Sequence, residues 1–140
     1  MSGEIDHFLL EQIKRHEGYR QFPYKDSVSK WTVAIGRNLD DVGIFPEEAE
    51  YLLTNDIQRA VQELRLALPW YQSQSRRRKQ ALINLTFNMG LPTLKRFKKF
   101  LAAMEAGDYS AAHDELLDSR YAKQVGKRAN ELAEQIRDDR

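Results

Sequence analysis

Cysteine is absent from this chain of 140 residues, so neither disulfides nor thiolate-bound zinc can brace the fold, and stability has to come from packing. Long apolar runs are missing as well. None approaches the roughly 20 residues needed to span a bilayer, so stable membrane insertion is not expected. The amino terminus, MSGEIDHFLLEQIKRHEG, lacks a basic segment followed by an uninterrupted apolar stretch, so no signal peptide is expected. Neither sign of charge is in excess: 22 basic residues face 21 acidic ones, for a formal net charge of +1. A nucleic-acid binder that relies on overall charge is thereby disfavoured, and any electrostatic attraction must be local. No G-x-x-x-x-G-K, G-x-S-x-G or G-x-G-x-x-G string occurs, which removes nucleotide-binding and serine-hydrolase readings. His7, His16 and His113 do not cluster at metal-ligand spacing, and no metal site is expected.

What is present is the composition of a soluble globular protein, with 41% hydrophobic and 31% charged residues and a length that suits one domain. Ile5, Phe8, Leu9, Gln12 and Ile13 lie on one face of a helix that runs to about Glu17, where Gly18 can end it. From Phe22 to Ile44 the helical period disappears and β-type residues alternate with Pro23, Ser27, Ser29, Gly36 and Gly43. Pro46, Glu47 and Glu48 open a long helix, with Ala49, Leu52, Leu53, Ile57, Val61, Leu64 and Leu68 as its buried stripe and Pro69 as its stop. Further helices are expected over 75–89, 92–106, 108–118 and 119–137, the last broken near Gly126.

Glu17, Asp26 and Thr32 are the candidate catalytic residues. Cutting a glycosidic bond takes one carboxyl group to protonate the leaving oxygen and a second to activate water or attack carbon. Glu17 falls in the last turn of its helix, where the negative dipole end favours the protonated form that a general acid needs. Thr32 carries a hydroxyl that both donates and accepts, suited to holding a water beside Asp26. The run Arg76-Arg77-Arg78-Lys79 sits unfavourably at a helix start and reads as a solvated face. Trp31, Trp70, Phe87, Phe97, Phe100 and Tyr121 read as core residues, and Phe87, beside Asn88, is the one placed near a substrate.

The string RHEGYRQFPYKDSVSKWTVAIGR, from Arg15 to Arg37, resembles the catalytic region of the phage-type lysozymes, glycoside hydrolase family 24, typified by the T-even phage enzyme. LINLTFNMG, from Leu82 to Gly90, is similar to that family's central buried helix, and SRYAKQVGKRA, from Ser119 to Ala129, to its C-terminal segment. The resemblance implies an α+β, lysozyme-like fold. Its single domain (1–140) has a small hairpin lobe (18–48), a larger helical lobe (1–17 and 66–140) and a connecting helix (46–68). The N-terminal helix would pack with the helical lobe.

By the same resemblance Glu17 is the general acid, Asp26 the second carboxylate, Thr32 the residue that helps position water, and Arg128 an arginine paired with Glu17. The implied reaction is inverting hydrolysis of the β-1,4 bond between N-acetylmuramic acid and N-acetylglucosamine in peptidoglycan. It needs no cofactor, and the expected protein is a monomer that accumulates in the host cytoplasm until it is released to the cell wall. The family has glycine where this chain has Ser29 and Ala34, and Arg37 and Asp56 match positions of an ion pair. A lytic transglycosylase, in which the sugar's own hydroxyl replaces water, and a wall-binding module without turnover are the rival readings. The pair Asp26 and Thr32 argues for hydrolysis.

Overall fold

The computed structural model describes residues 3–140, which form two compact units divided between Tyr51 and Leu52. The fold is α+β: a three-stranded antiparallel sheet lies near the N-terminus and the rest is helical. Among the described residues no helix is long and apolar enough to cross a membrane.

In the first unit α1 spans His7–Glu17. Asp6 caps it by accepting from the Leu9 N–H at 2.9 Å, which satisfies one of the donors a helix start leaves open. Gly18, at φ +72°, ends it and donates to the Lys14 carbonyl at 2.8 Å. The sheet has strands β1 (Arg20–Lys25), β2 (Trp31–Ala34) and β3 (Arg37–Asn38) in that order. The β region therefore starts two residues before Phe22 and forms a three-stranded meander. Pro23 has no N–H to give the ladder, and the β1–β2 register slips between Arg20 and Tyr24 before Tyr24 pairs with Thr32.

Helix α2 spans Pro46–Ala67, as its proline and acidic first turn predict. Of the expected stripe Leu64 and Leu68 are buried and Val61 half-buried, while Ala49, Leu52, Leu53 and Ile57 are exposed; Ala60, outside that stripe, is buried too. Leu64 and Leu68 reach the core of the second unit, which Leu82, Leu85, Phe100, Met104, Leu116 and Ile136 fill at 1% exposure or less.

That core is enclosed by α3 (Arg76–Met89), α4 (Leu91–Leu94), α5 (Lys98–Ala106), α6 (Tyr109–Leu117), α7 (Arg120–Val125) and α8 (Lys127–Asp138), after a short 3-10 turn at Tyr71–Ser73. The helix expected over 92–106 is thus two helices. Phe97, at φ −81° and ψ 61°, leaves helical geometry, and i→i+3 bonds from Arg96 and Phe97 tighten the chain between them. Its ring packs edge-on against Tyr121, with centroids 6.5 Å apart.

The basic run at the start of α3 is not uniformly solvated. Arg78 is largely buried: its Nε donates to the Ile136 carbonyl at 2.6 Å and its Nη2 to that of Arg137 at 3.2 Å. Its guanidinium lies 3.4 Å from the centre of the Tyr109 ring. The side chain therefore caps the C-terminal carbonyls of α8, which a helix leaves without internal partners.

Candidate active site

Asp26 leaves β1 and organises the turn into β2. Its Oδ1 accepts from the N–H groups of Val28 and Lys30, both at 2.9 Å. Two backbone bonds close the same turn, from Asp26 N–H to the Lys30 carbonyl at 2.9 Å and from Ser29 N–H to the Asp26 carbonyl at 3.0 Å. Both side-chain bonds fall on one oxygen, so Oδ2 stands outside this network. Ser29 takes the left-handed conformation at φ 62° that its match to a glycine implies, and Ala34 does so too, at φ 60°.

Thr32 lies in the central strand between Tyr24 and Asn38 and is buried, at 4% exposure. Its hydroxyl donates to the Lys30 carbonyl at 3.0 Å, which commits the proton and leaves the oxygen as an acceptor. Lys30 thus ties the two candidate water-handling residues together: its N–H holds Asp26 and its carbonyl holds Thr32.

Glu17, the last residue of α1, is exposed and lies against Gly36 in the turn between β2 and β3. Among the described residues of its own unit, no hydrogen bond or ion pair restrains its carboxyl group. Gly36 has φ +72°, and a Cβ built there would lie 2.9 Å from Glu17 Oε2, closer than real atoms approach.

Arg37 pairs within its own unit, with Glu48. Its guanidinium grips Glu48 with both nitrogens, Nη1 donating to Oε1 at 2.7 Å and Nη2 to Oε2, and Nη1 also reaches the Gly43 carbonyl at 3.0 Å. Glu48 accepts in addition from the Phe45 N–H at 2.8 Å, so it caps the start of α2 and binds the arginine together. The Arg37 hydrogen bond is the main reason its carboxyl is held down to about 2. In the second unit Asp56 lies beside Arg59, one turn along α2, at 3.4 Å. The fork of an arginine needs a carboxylate placed for two parallel bonds, and Glu48 supplies it.

In the second unit Arg128 and Phe87 line one cavity of about 460 Å³ with Leu53, Ile57, Gln80, Ile83 and Asn84. Phe87 is half exposed, at 48%. Asn88 is exposed and does not line this cavity. Arg128 is held by Asn84, whose Oδ1 accepts from Nη2 at 2.6 Å and from Nε at 3.2 Å. Nearby, burial pushes the Tyr121 hydroxyl up, and no hydrogen-bond partner meets it among the described residues.

The model of the family described as phage lysozyme matches residues 14–138. The chain belongs to the phage lysozyme family. A lysozyme-like hydrolysis of peptidoglycan follows at the level of that family. The chain is also similar to the pre-baseplate central spike protein Gp5 of Enterobacteria phage T4, 28% identical over 89% of this chain but only 26% of the spike protein. It therefore spans about a quarter of that relative's length. A probable T4-type lysozyme 2 of Dictyostelium discoideum is 27% identical over 89% of this chain and 90% of its own.

Two contacts made by the candidate site residues have no signature in the sequence. Asn84 lies in the string LINLTFNMG but its partner is 44 positions away, so spacing gives no sign of the bond. Gly36 is visible in the sequence only as a turn residue, and its contact with Glu17 depends on how α1 meets the sheet.

Proposed function

We propose that this phage lysozyme hydrolyses the β-1,4 bond between N-acetylmuramic acid and N-acetylglucosamine in bacterial peptidoglycan, with inversion at the anomeric carbon. Glu17 protonates the leaving glycosidic oxygen. Asp26 takes a proton from water through Oδ2, Thr32 accepts a hydrogen bond from the same water, and the oxygen attacks the face opposite the leaving group. Arg128, Phe87 and Asn88 are assigned supporting or substrate-contacting roles. The protein acts on the cell wall after release from the host cytoplasm, as a monomer and without a cofactor.

The observation that carries this reading is the Lys30 linkage. It fixes Asp26 through Oδ1 and Thr32 through its proton, and so leaves one carboxylate oxygen and one hydroxyl lone pair for a water. A transglycosylase has no use for such a pair, because its nucleophile is the sugar's own hydroxyl. The test is the product. Digestion of purified peptidoglycan should give free reducing ends whose first-formed anomer, followed by NMR, is the α form. Intramolecular anhydro sugars would move the assignment to the transglycosylase, and no cleavage at all to the binding module.

A further inference from the structure

We propose that Gly36 is a positioning residue for the Glu17 carboxyl group, a role that rests on the reading of Glu17 as the general acid. A Cβ at residue 36 would lie 2.9 Å from Oε2, 3.0 Å from Cδ and 3.2 Å from Cγ of Glu17. The outer half of the glutamate side chain therefore occupies the space that any other residue at this position would fill. Within its unit no hydrogen bond or ion pair of the described residues fixes this carboxyl. Packing against the bare α-carbon takes that place.

The consequence is specific to activity. A glutamate end group is flexible, so an added methyl is accommodated by rotation of Glu17 rather than by rearrangement of the sheet. The fold survives while the proton donor moves, and displacement of a reacting group by about 1 Å costs on the order of 100-fold in rate. The backbone conformation adds a second penalty, because φ +72° disfavours any residue with a Cβ. Gly43 supplies the control. It has the same φ of +72°, but a Cβ there meets nothing within 4 Å.

The experiment compares Gly36→Ala with Gly43→Ala on soluble peptidoglycan glycan fragments, with Glu17→Gln alongside. The two alanine variants should melt within a few degrees of each other. Gly36→Ala should lose at least about tenfold in kcat with KM within about twofold of wild type, while Gly43→Ala keeps the wild-type kcat. Equal kcat in the two folded variants would overturn the proposal. Should Gly36→Ala fail to fold, Glu17→Ala/Gly36→Ala decides: it should fold because the clashing side chain is gone, and its failure to fold would overturn the proposal as well. An active Glu17→Gln protein would instead remove the assignment of Glu17 as the acid, an outcome distinct from the failure of Gly36 to position it.

Discussion

Two non-glycine residues of the hairpin, one in the β1–β2 turn and one at the end of β2, carry left-handed backbone. Ser29 and Ala34, at φ 62° and 60°, each pay for crowding between Cβ and backbone that glycine avoids, about 1–2 kcal/mol. Glycine at either position adds back unfolded-state entropy of roughly 0.5–1 kcal/mol, so Ser29→Gly and Ala34→Gly should each stabilise by up to about 1 kcal/mol. A lowered melting temperature in either would show that the side chain makes a compensating contact. Ser29 was legible as a strained turn position through its match to a glycine. Ala34 was legible only as an added methyl, because alternation in β2 gives no sign that the strand ends in a left-handed residue.

Glu48 offers a second test at the same scale. The ordinary value of 4.5 for its carboxyl falls to about 2 on folding, so the folded state binds fewer protons between these limits. The stability this group contributes is full above 4.5 and disappears as pH drops towards 2. The gap in melting temperature between wild type and Glu48→Gln should therefore close on acidification through this window, and a gap that stays constant would contradict the pairing with Arg37.

Elements were legible where the chain announces their ends. Asp6, Ser75, Asp108 and Ser119 cap the helices that follow them, and Gly18, Gly90, Gly107 and Gly126 stop the ones before, all with local signals. The break between α4 and α5 has no glycine, and it was missed because Phe97 is turned out of the helix by its fit against Tyr121, a tertiary cause. The role of Arg78 was hidden for the same reason: a basic run looks alike whether or not a distant helix end lies above it. Arg78→Ala should destabilise by about 1.5–3 kcal/mol, the range for hydrogen bonds from a charged donor, whereas Arg76→Ala, at an exposed position, should stay within about 0.5 kcal/mol of wild type. Arg78→Lys should fall between them, since it keeps the charge and loses the fork. Urea unfolding of the three variants checks the order, and equal midpoints for Arg76→Ala and Arg78→Ala would contradict it.

At the scale of the whole molecule the fold class and the order of its elements could be read from the chain, because periodicity, turn residues and three separated strings all agreed. The residues proposed for catalysis could be singled out in the chain for a related reason. Glu17, Asp26 and Thr32 are near neighbours in sequence, and the turn that joins Asp26 to Thr32 through Lys30 is local. The contacts that hold functional side chains from a distance, Asn84 on Arg128 and Gly36 on Glu17, arise only when elements far apart in the chain meet. The central claim is that Glu17 donates the proton that breaks the glycosidic bond, and Glu17→Gln tests it most directly, because the amide keeps the shape of the side chain and cannot donate that proton. Turbidity of permeabilised Gram-negative cells should fall with wild-type protein and stay constant with a Glu17→Gln variant of the same melting temperature. Clearing at the wild-type rate by the folded variant would contradict the account.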